Sequence, residues 1–266
     1  MGWLDVNGVS INFRIEGKAD GPLVILLHEI GGSIESFSPV VPFLSSHFRV
    51  LSFDQRGSGL SEKVRSSFGI DDLVDDINSL IEEISVVTSV CNFVTVAAAG
   101  LQALRFYERY PDRVASITLC NPALGVDSAR ATALLERADF AERNGMRAGL
   151  ETTLDKSYQL ELRDDVIFPE VRGRYLANDP YGFAESNRVL ARTDLRHLLP
   201  DVACPVMVVA GRYDQVRPHK GSEDVAQQIP GARFELVDGG HFLPSTAGKA
   251  LGGLIVDFVG SVNEDR

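Results

Sequence analysis

The strongest constraint on the fold is a set of short, continuous apolar runs separated by helical patterns. Leu23-Val24-Ile25-Leu26-Leu27, Val50-Leu51-Ser52-Phe53, Phe93-Val94-Thr95-Val96, Ala115-Ser116-Ile117-Thr118-Leu119 and Val206-Met207-Val208-Val209 lack the in-out alternation of a half-exposed strand. They suit parallel strands covered on both faces. Phe234-Glu235-Leu236-Val237 is a weaker run of the same kind, and helical periodicity fills Ile70 to Ile84 and Leu101 to Tyr110. This alternation predicts an α/β fold with a mostly parallel, doubly wound sheet. The opening segment alternates on either side of Asn7-Gly8, a dipeptide that favours a tight hairpin turn, and is expected to form edge strands.

From Ser128 to Asp194 the periodicity is helical throughout. Leu134, Leu135, Ala138 and Ala141 share one predicted face, as do Leu150, Leu154 and Tyr158. The expected organisation is a core over residues 1–124, a helical lid over 125–195 lying on the strand ends, and the rest of the core over 196–266. No repeat or linker marks a second independent domain. At 266 residues, 44% hydrophobic and 24% charged, the chain is long enough for one such domain with an insertion.

No apolar run is long enough to span a bilayer, and Met1-Gly2-Trp3-Leu4-Asp5 lacks a basic segment followed by an apolar one, so a cytoplasmic location is expected. Cys91, Cys120 and Cys204 lie in or beside predicted strands and suit reduced thiols. A formal charge of −11 argues against nucleic acid as a partner. There is no metal-ligand cluster and no phosphate-binding glycine loop, so no cofactor is expected. A homodimer is the default assembly.

Four features fall at the C-terminal ends of predicted strands, where open α/β sheets place their sites. His28-Glu29-Ile30-Gly31-Gly32 is a glycine turn able to point backbone amides into a pocket. In Asp54-Gln55-Arg56-Gly57-Ser58-Gly59, Asp54 and Arg56 are expected to make structural hydrogen bonds. Gly211-Arg212-Tyr213-Asp214-Gln215-Val216-Arg217-Pro218 and Gly239-Gly240-His241-Phe242 supply a carboxylate and an imidazole at successive strand ends. A carboxylate that fixes the tautomer of a histidine and supports its charge is half of a nucleophilic triad.

With Tyr110-Pro111-Asp112-Arg113-Val114 and Asn178-Asp179-Pro180-Tyr181-Gly182-Phe183-Ala184, these motifs make the chain resemble the α/β-hydrolase superfamily over essentially its whole length. Within it, the chain is similar to 3-oxoadipate enol-lactonases and related small ester, lactone and C–C bond hydrolases. The resemblance implies an α/β-hydrolase fold, a catalytic His241 and Asp214, an oxyanion hole around Ile30 and Ala98 with His28 beside it, and a small acidic substrate.

The sequence departs from that pattern where the nucleophile belongs. The family's G-x-S-x-G elbow corresponds to Thr95-Val96-Ala97-Ala98-Ala99, and ungapped counting back from Pro111 puts the serine at Ala97. One engineered Ser→Ala exchange would give Ala97, but not Thr95 and Ala99 in place of both glycines, so the absence reads as natural. Glu29 also stands where glycine is usual, beside the expected oxyanion hole, where a carboxylate would repel a developing negative charge.

These changes predict a hydrolase in which His241 with Asp214, or Glu29, acts as general base on water in place of a serine. Proton abstraction of the kind used by cofactor-free lyases and oxygenases is the alternative, and a non-catalytic small-molecule binder is a third. The helical segment is rich in arginine, including Arg130, Arg137, Arg172 and Arg174, most of which should be solvated. Arg172 and Arg174 are two apart on a predicted helix, so at most one can clamp a ligand carboxylate. Tyr175, Phe183 and Leu190 are expected lid wall.

Overall fold

The computed structural model describes residues 1–84 and 90–264. Its strands are β1 (Gly2–Val6), β2 (Val9–Gly17), β3 (Leu23–Leu27), β4 (Arg49–Phe53), β5 (Cys91–Val96), β6 (Val114–Cys120), β7 (Val206–Gly211) and β8 (Arg233–Val237). They form one sheet in the order β1-β2-β4-β3-β5-β6-β7-β8. The pairs β1–β2 and β2–β4 are antiparallel, and every later pair is parallel. All the apolar runs are strands, and Asn7 (φ 46°) and Gly8 (φ 72°) make the hairpin turn. The edge expectation holds for β1 alone, since β2 is hydrogen-bonded on both sides.

The helices are α1 (Val41–Leu44), α2 (Ile70–Glu83), α3 (Gly100–Arg109), α4 (Ser128–Asn144), α5 (Leu154–Ser157), α6 (Ile167–Ala177), α7 (Pro180–Arg192), α8 (His219–Gln228) and α9 (Leu243–Glu264). Two apolar layers clothe the sheet. Val74, Ile77, Leu104 and Phe106 of α2 and α3 pack on one face with Ile25, Phe93 and Ile117. Leu44 of α1 and Leu251, Ile255 and Val259 of α9 pack on the other with Val24, Val94 and Met207. Inside the first layer, burial pushes the Cys91 thiol up to about 12, and in the second it does the same to Cys120, leaving both unreactive.

Four helices, α4 to α7, stand between β6 and β7. Gly145 (φ 76°) ends α4, and the face expected over Leu150 to Tyr158 is carried by the single turn of α5, Leu154–Ser157, preceded by a 3₁₀ turn, Met146–Gly149. Leu154, Tyr158, Val171 and Tyr175 nevertheless form a small apolar cluster of their own. This layer is fixed to the core where α7 begins. A Cβ on Gly182 would lie 2.3 Å from the Gly57 carbonyl oxygen, so two glycines let backbones touch there. Beside them Asp179 caps α7 through the Gly182 amide and pairs with Arg65 at 2.8 Å. No described helix is long and apolar enough to cross a membrane.

Candidate active site

The loop after β4 is a scaffold. Asp54 accepts hydrogen bonds from the Ile34 and Leu60 amides, each at 2.7 Å, and from Asn12 Nδ2 at 2.8 Å. Arg56, nearly inaccessible, donates through Nε and Nη2 to both oxygens of Asp76 at 2.7 and 2.6 Å. Both residues have the structural roles expected of them.

His28 belongs to the same scaffold and corrects the expectation that it touches substrate. It is 2% exposed, its Nδ1 donates to the Glu29 carbonyl at 2.8 Å, and its Nε2 accepts from the Gln55 amide at 3.1 Å. Both ring nitrogens are thus engaged, and His28 is not among the residues that line the main cavity.

The end of β5 keeps the backbone of an elbow without its hydroxyl. Ala97 has φ 52°, a left-handed conformation that costs an L-residue with a side chain roughly 1–2 kcal/mol. Its carbonyl accepts from the Ala123 amide at 3.1 Å, and its methyl lines a cavity of about 70 Å³, room for several water molecules. Thr95 lies inside the sheet and donates to the Thr118 carbonyl at 3.3 Å.

Asp214 and His241 meet at the edge of this cavity. His241 Nδ1 lies 2.8 Å from Asp214 Oδ2, while Asp214 Oδ1 accepts from the Val216 and Arg217 amides, both at 2.8 Å. Two amides and the imidazole therefore fix the carboxylate. The arrangement places the proton of a neutral imidazole on Nδ1 and leaves Nε2, to which no described residue is bonded, as a lone-pair base.

Asn121, at the end of β6, holds the two loops together. Buried, with φ 46°, it donates from Nδ2 to the Gly240 and His241 carbonyls at 3.0 and 3.2 Å and accepts at Oδ1 from the Gly211 amide at 2.8 Å. Asn121→Ala would leave these three buried backbone groups unpaired. Its expected cost is about 3 kcal/mol in urea denaturation, with loss of any His241-dependent activity.

Glu29 lines the same cavity beside Ile30, Ala97 and Ala98. It is buried, 8% exposed, and caps no backbone amide among the described residues. Its Oε1 accepts from Ser36 Oγ at 2.9 Å, its Oε2 is buried without a partner among the described residues, and the carboxyl is tucked under Gly32, where a Cβ would meet it at 2.7 Å.

Of the expected wall, Tyr175, Phe183 and Leu190 all line the cavity. Arg174 reaches it and Arg172 does not, which fits their two-residue spacing on α6; Arg174 also stands 3.7 Å from Glu170. Arg130, exposed as expected, lines it as well; Arg137 does so half-buried, against the expectation for the arginines of the helical segment, and Arg217, from outside that segment, joins them. Arg137 was legible in principle, being three residues after Leu134 and so on the buried side of α4. Burial, then the neighbouring Arg130 guanidinium, push Arg137 down to about 10, and the same two causes lower Arg217. An outer groove of about 1100 Å³ shares Arg130, Arg137, Tyr175 and Phe183 with this inner cavity.

A family model described as alpha/beta hydrolase fold matches residues 22–247. The chain is 29% identical over 255 residues to the magnesium-chelatase 30 kDa subunit of Rhodobacter capsulatus, covering 91% of this chain and 88% of that one. It is 25% identical over 239 residues to 3-oxoadipate enol-lactonase 1 of Acinetobacter baylyi, covering 88% and 87%. Among solved structures, the enol-lactonase of Burkholderia xenovorans superposes with a TM-score of 0.92 at 28% identity, over 97% of this chain and all of that one.

Proposed function

Because the chain belongs to the α/β-hydrolase-fold family, we propose that it hydrolyses a small, acidic, activated ester or enol lactone, using His241 as general base on water. The observation that carries this reading is that the Asp214–His241 pair opens on the same small cavity as Ala97, whose backbone keeps the elbow conformation while its side chain has no nucleophile. Water beside the Ala97 methyl would add to the substrate carbonyl as Nε2 takes its proton. The tetrahedral species would then collapse, breaking the carbon–oxygen bond, with the imidazolium returning its proton to the departing enolate. Asp214 would support the imidazolium in between.

An enolate is a good leaving group, which suits a site with no covalent catalysis. The amides of Ile30 and Ala98 are the oxyanion donors in this reading. The buried position of the Glu29 carboxyl supports His241 over Glu29 as the base.

Intact-mass spectrometry during turnover of an enol lactone tests the mechanism. The native chain is expected to show no acyl adduct, whereas Ala97→Ser, which puts a hydroxyl on the retained elbow, is expected to gain the mass of one acyl group. An acyl adduct on the native chain during turnover would overturn the water mechanism.

A second reading, capture of a ligand without turnover, is favoured by one observation: both Ala97 and Glu29 depart from the resembled pattern at the reacting end of the cavity. Saturable binding of lactones with no product would establish it instead.

A further inference from the structure

Of the four arginines that line one cavity of this acidic chain, three have no carboxylate partner among the described residues. Arg130 and Arg137 come from α4 and Arg217 from the loop between β7 and α8, in a protein of formal charge −11. Several buried or half-buried guanidiniums elsewhere in the molecule have carboxylate partners. Arg56 pairs with Asp76, Arg163 with Asp155, and Arg188 with Asp139, Glu142 and Glu185. At the cavity, Arg174 stands 3.7 Å from Glu170, and the other three lining arginines differ from it. Arg137 donates through Nε to the neutral Asn187 Oδ1 at 2.8 Å, and no hydrogen bond or ion pair joins the Arg130 or Arg217 side chain to a described residue.

The nearby acids are committed elsewhere. Asp214 serves His241 and two amides, and Asp127 accepts the Arg130 amide as the cap of α4, reaching Arg217 only through its field. Like charges held together in a partly desolvated pocket repel one another and oppose folding. Planar guanidiniums with unused N–H donors match the paired oxygens of carboxylates and phosphates.

We propose that Arg130, Arg137 and Arg217 form the binding site for a ligand end that carries two negative charges, as a malonate-like dicarboxylate or a phosphate monoester does. The site lies between the inner cavity and the outer groove, so a ligand anchored there would extend toward Ala97 and His241. This deepens the hydrolytic reading, on which it rests for the fate of the ligand; the binding itself does not need His241.

Isothermal titration of the native chain with inorganic phosphate, malonate and acetate tests it. At least one dianion is expected to bind about tenfold or more tightly than acetate, and Arg137→Met/Arg217→Met is expected to abolish that preference. Arg217→Met alone, which leaves the Arg137–Asn187 bond in place, should weaken the dianion about tenfold and guards against misfolding of the double variant. Preference for phosphate over malonate would identify a phosphate monoester, and the reverse a dicarboxylate.

The same titration on His241→Ala separates the two readings. Retained dianion affinity with no turnover of any lactone by the native chain would leave this site standing and remove the hydrolytic role. Equal affinity for acetate and the dianions, or a preference that survives both arginine replacements, would overturn the site.

Discussion

His241→Ala is expected to lower turnover of an enol lactone about a thousandfold while the protein stays folded, because general-base catalysis by a positioned imidazole is worth roughly 10²–10⁴. The ring is part-buried and makes its side-chain bond to Asp214, so its removal disturbs little else in the packing. Asp214→Asn should lower turnover as well. The amide's oxygen or nitrogen would face Nδ1 without the charge that supports an imidazolium, and the tautomer would be free to invert. Glu29→Gln is the contrasting variant. With Oε1 on Ser36 and Oε2 buried, its expected effect on turnover is less than about tenfold. Steady-state rates of the three variants decide the matter: an effect of Glu29→Gln equal to that of His241→Ala would transfer the role of base to Glu29.

Asp76→Ala is expected to destabilise the protein by about 3–5 kcal/mol, the usual penalty for leaving a buried guanidinium without its carboxylate. Asp76 is 1% and Arg56 6% exposed, both Arg56 bonds are short, and Asp76 also accepts from Asn7 Nδ2 at 3.2 Å. One carboxylate thus ties the loop after β4 to α2 and to the first hairpin. Urea denaturation should show a lower midpoint with an unchanged slope. Arg56→Met/Asp76→Ala should recover much of the loss, because removing both charges removes the uncompensated one. A single-variant cost below about 1 kcal/mol would class the pair with exposed ion pairs.

The sequence makes the parallel strands readable because β3 to β7 are predominantly apolar runs without in-out alternation, as strands covered on both faces are, whereas the edge strand β8 is weaker for being half-exposed. It makes Asp214 and His241 readable because the strand ends fix where their loops must emerge. The interior place of β2 is less readable, since alternation reports which faces are buried and not which edges are paired. The closing helix α9 is masked by glycines that score poorly in a helix. Two of them are contact points: a Cβ on Gly248 would lie 2.7 Å from Pro39, and one on Gly252 2.8 Å from Phe43.

The charged residues divide in the same way. Arg137 is placed on the buried side of α4 by its spacing from Leu134, but Arg217 looks like a solvated cation, and the convergence of the two depends on how α4 meets the loop after β7, which no local pattern encodes. His28 misleads in the opposite sense. It stands at a strand end among glycines, as a substrate ligand would, yet the Glu29 carbonyl and the Gln55 amide satisfy its ring. The position of Glu29 beside the cavity is legible from spacing, but its inward fold onto Ser36 is not.

The contact between Gly57 and Gly182 pins one end of the helical layer. Backbone lies on backbone there, with the Arg65–Asp179 pair alongside, so the α7 end of the helical layer is riveted to the sheet domain and cannot swing outward without breaking both. On the opposite flank the outer groove runs between α4 and α5 past Phe140, Lys156 and Leu160. That flank, with Phe140 and Leu160 exposed, is thus the side on which the inner cavity and the open groove share walls.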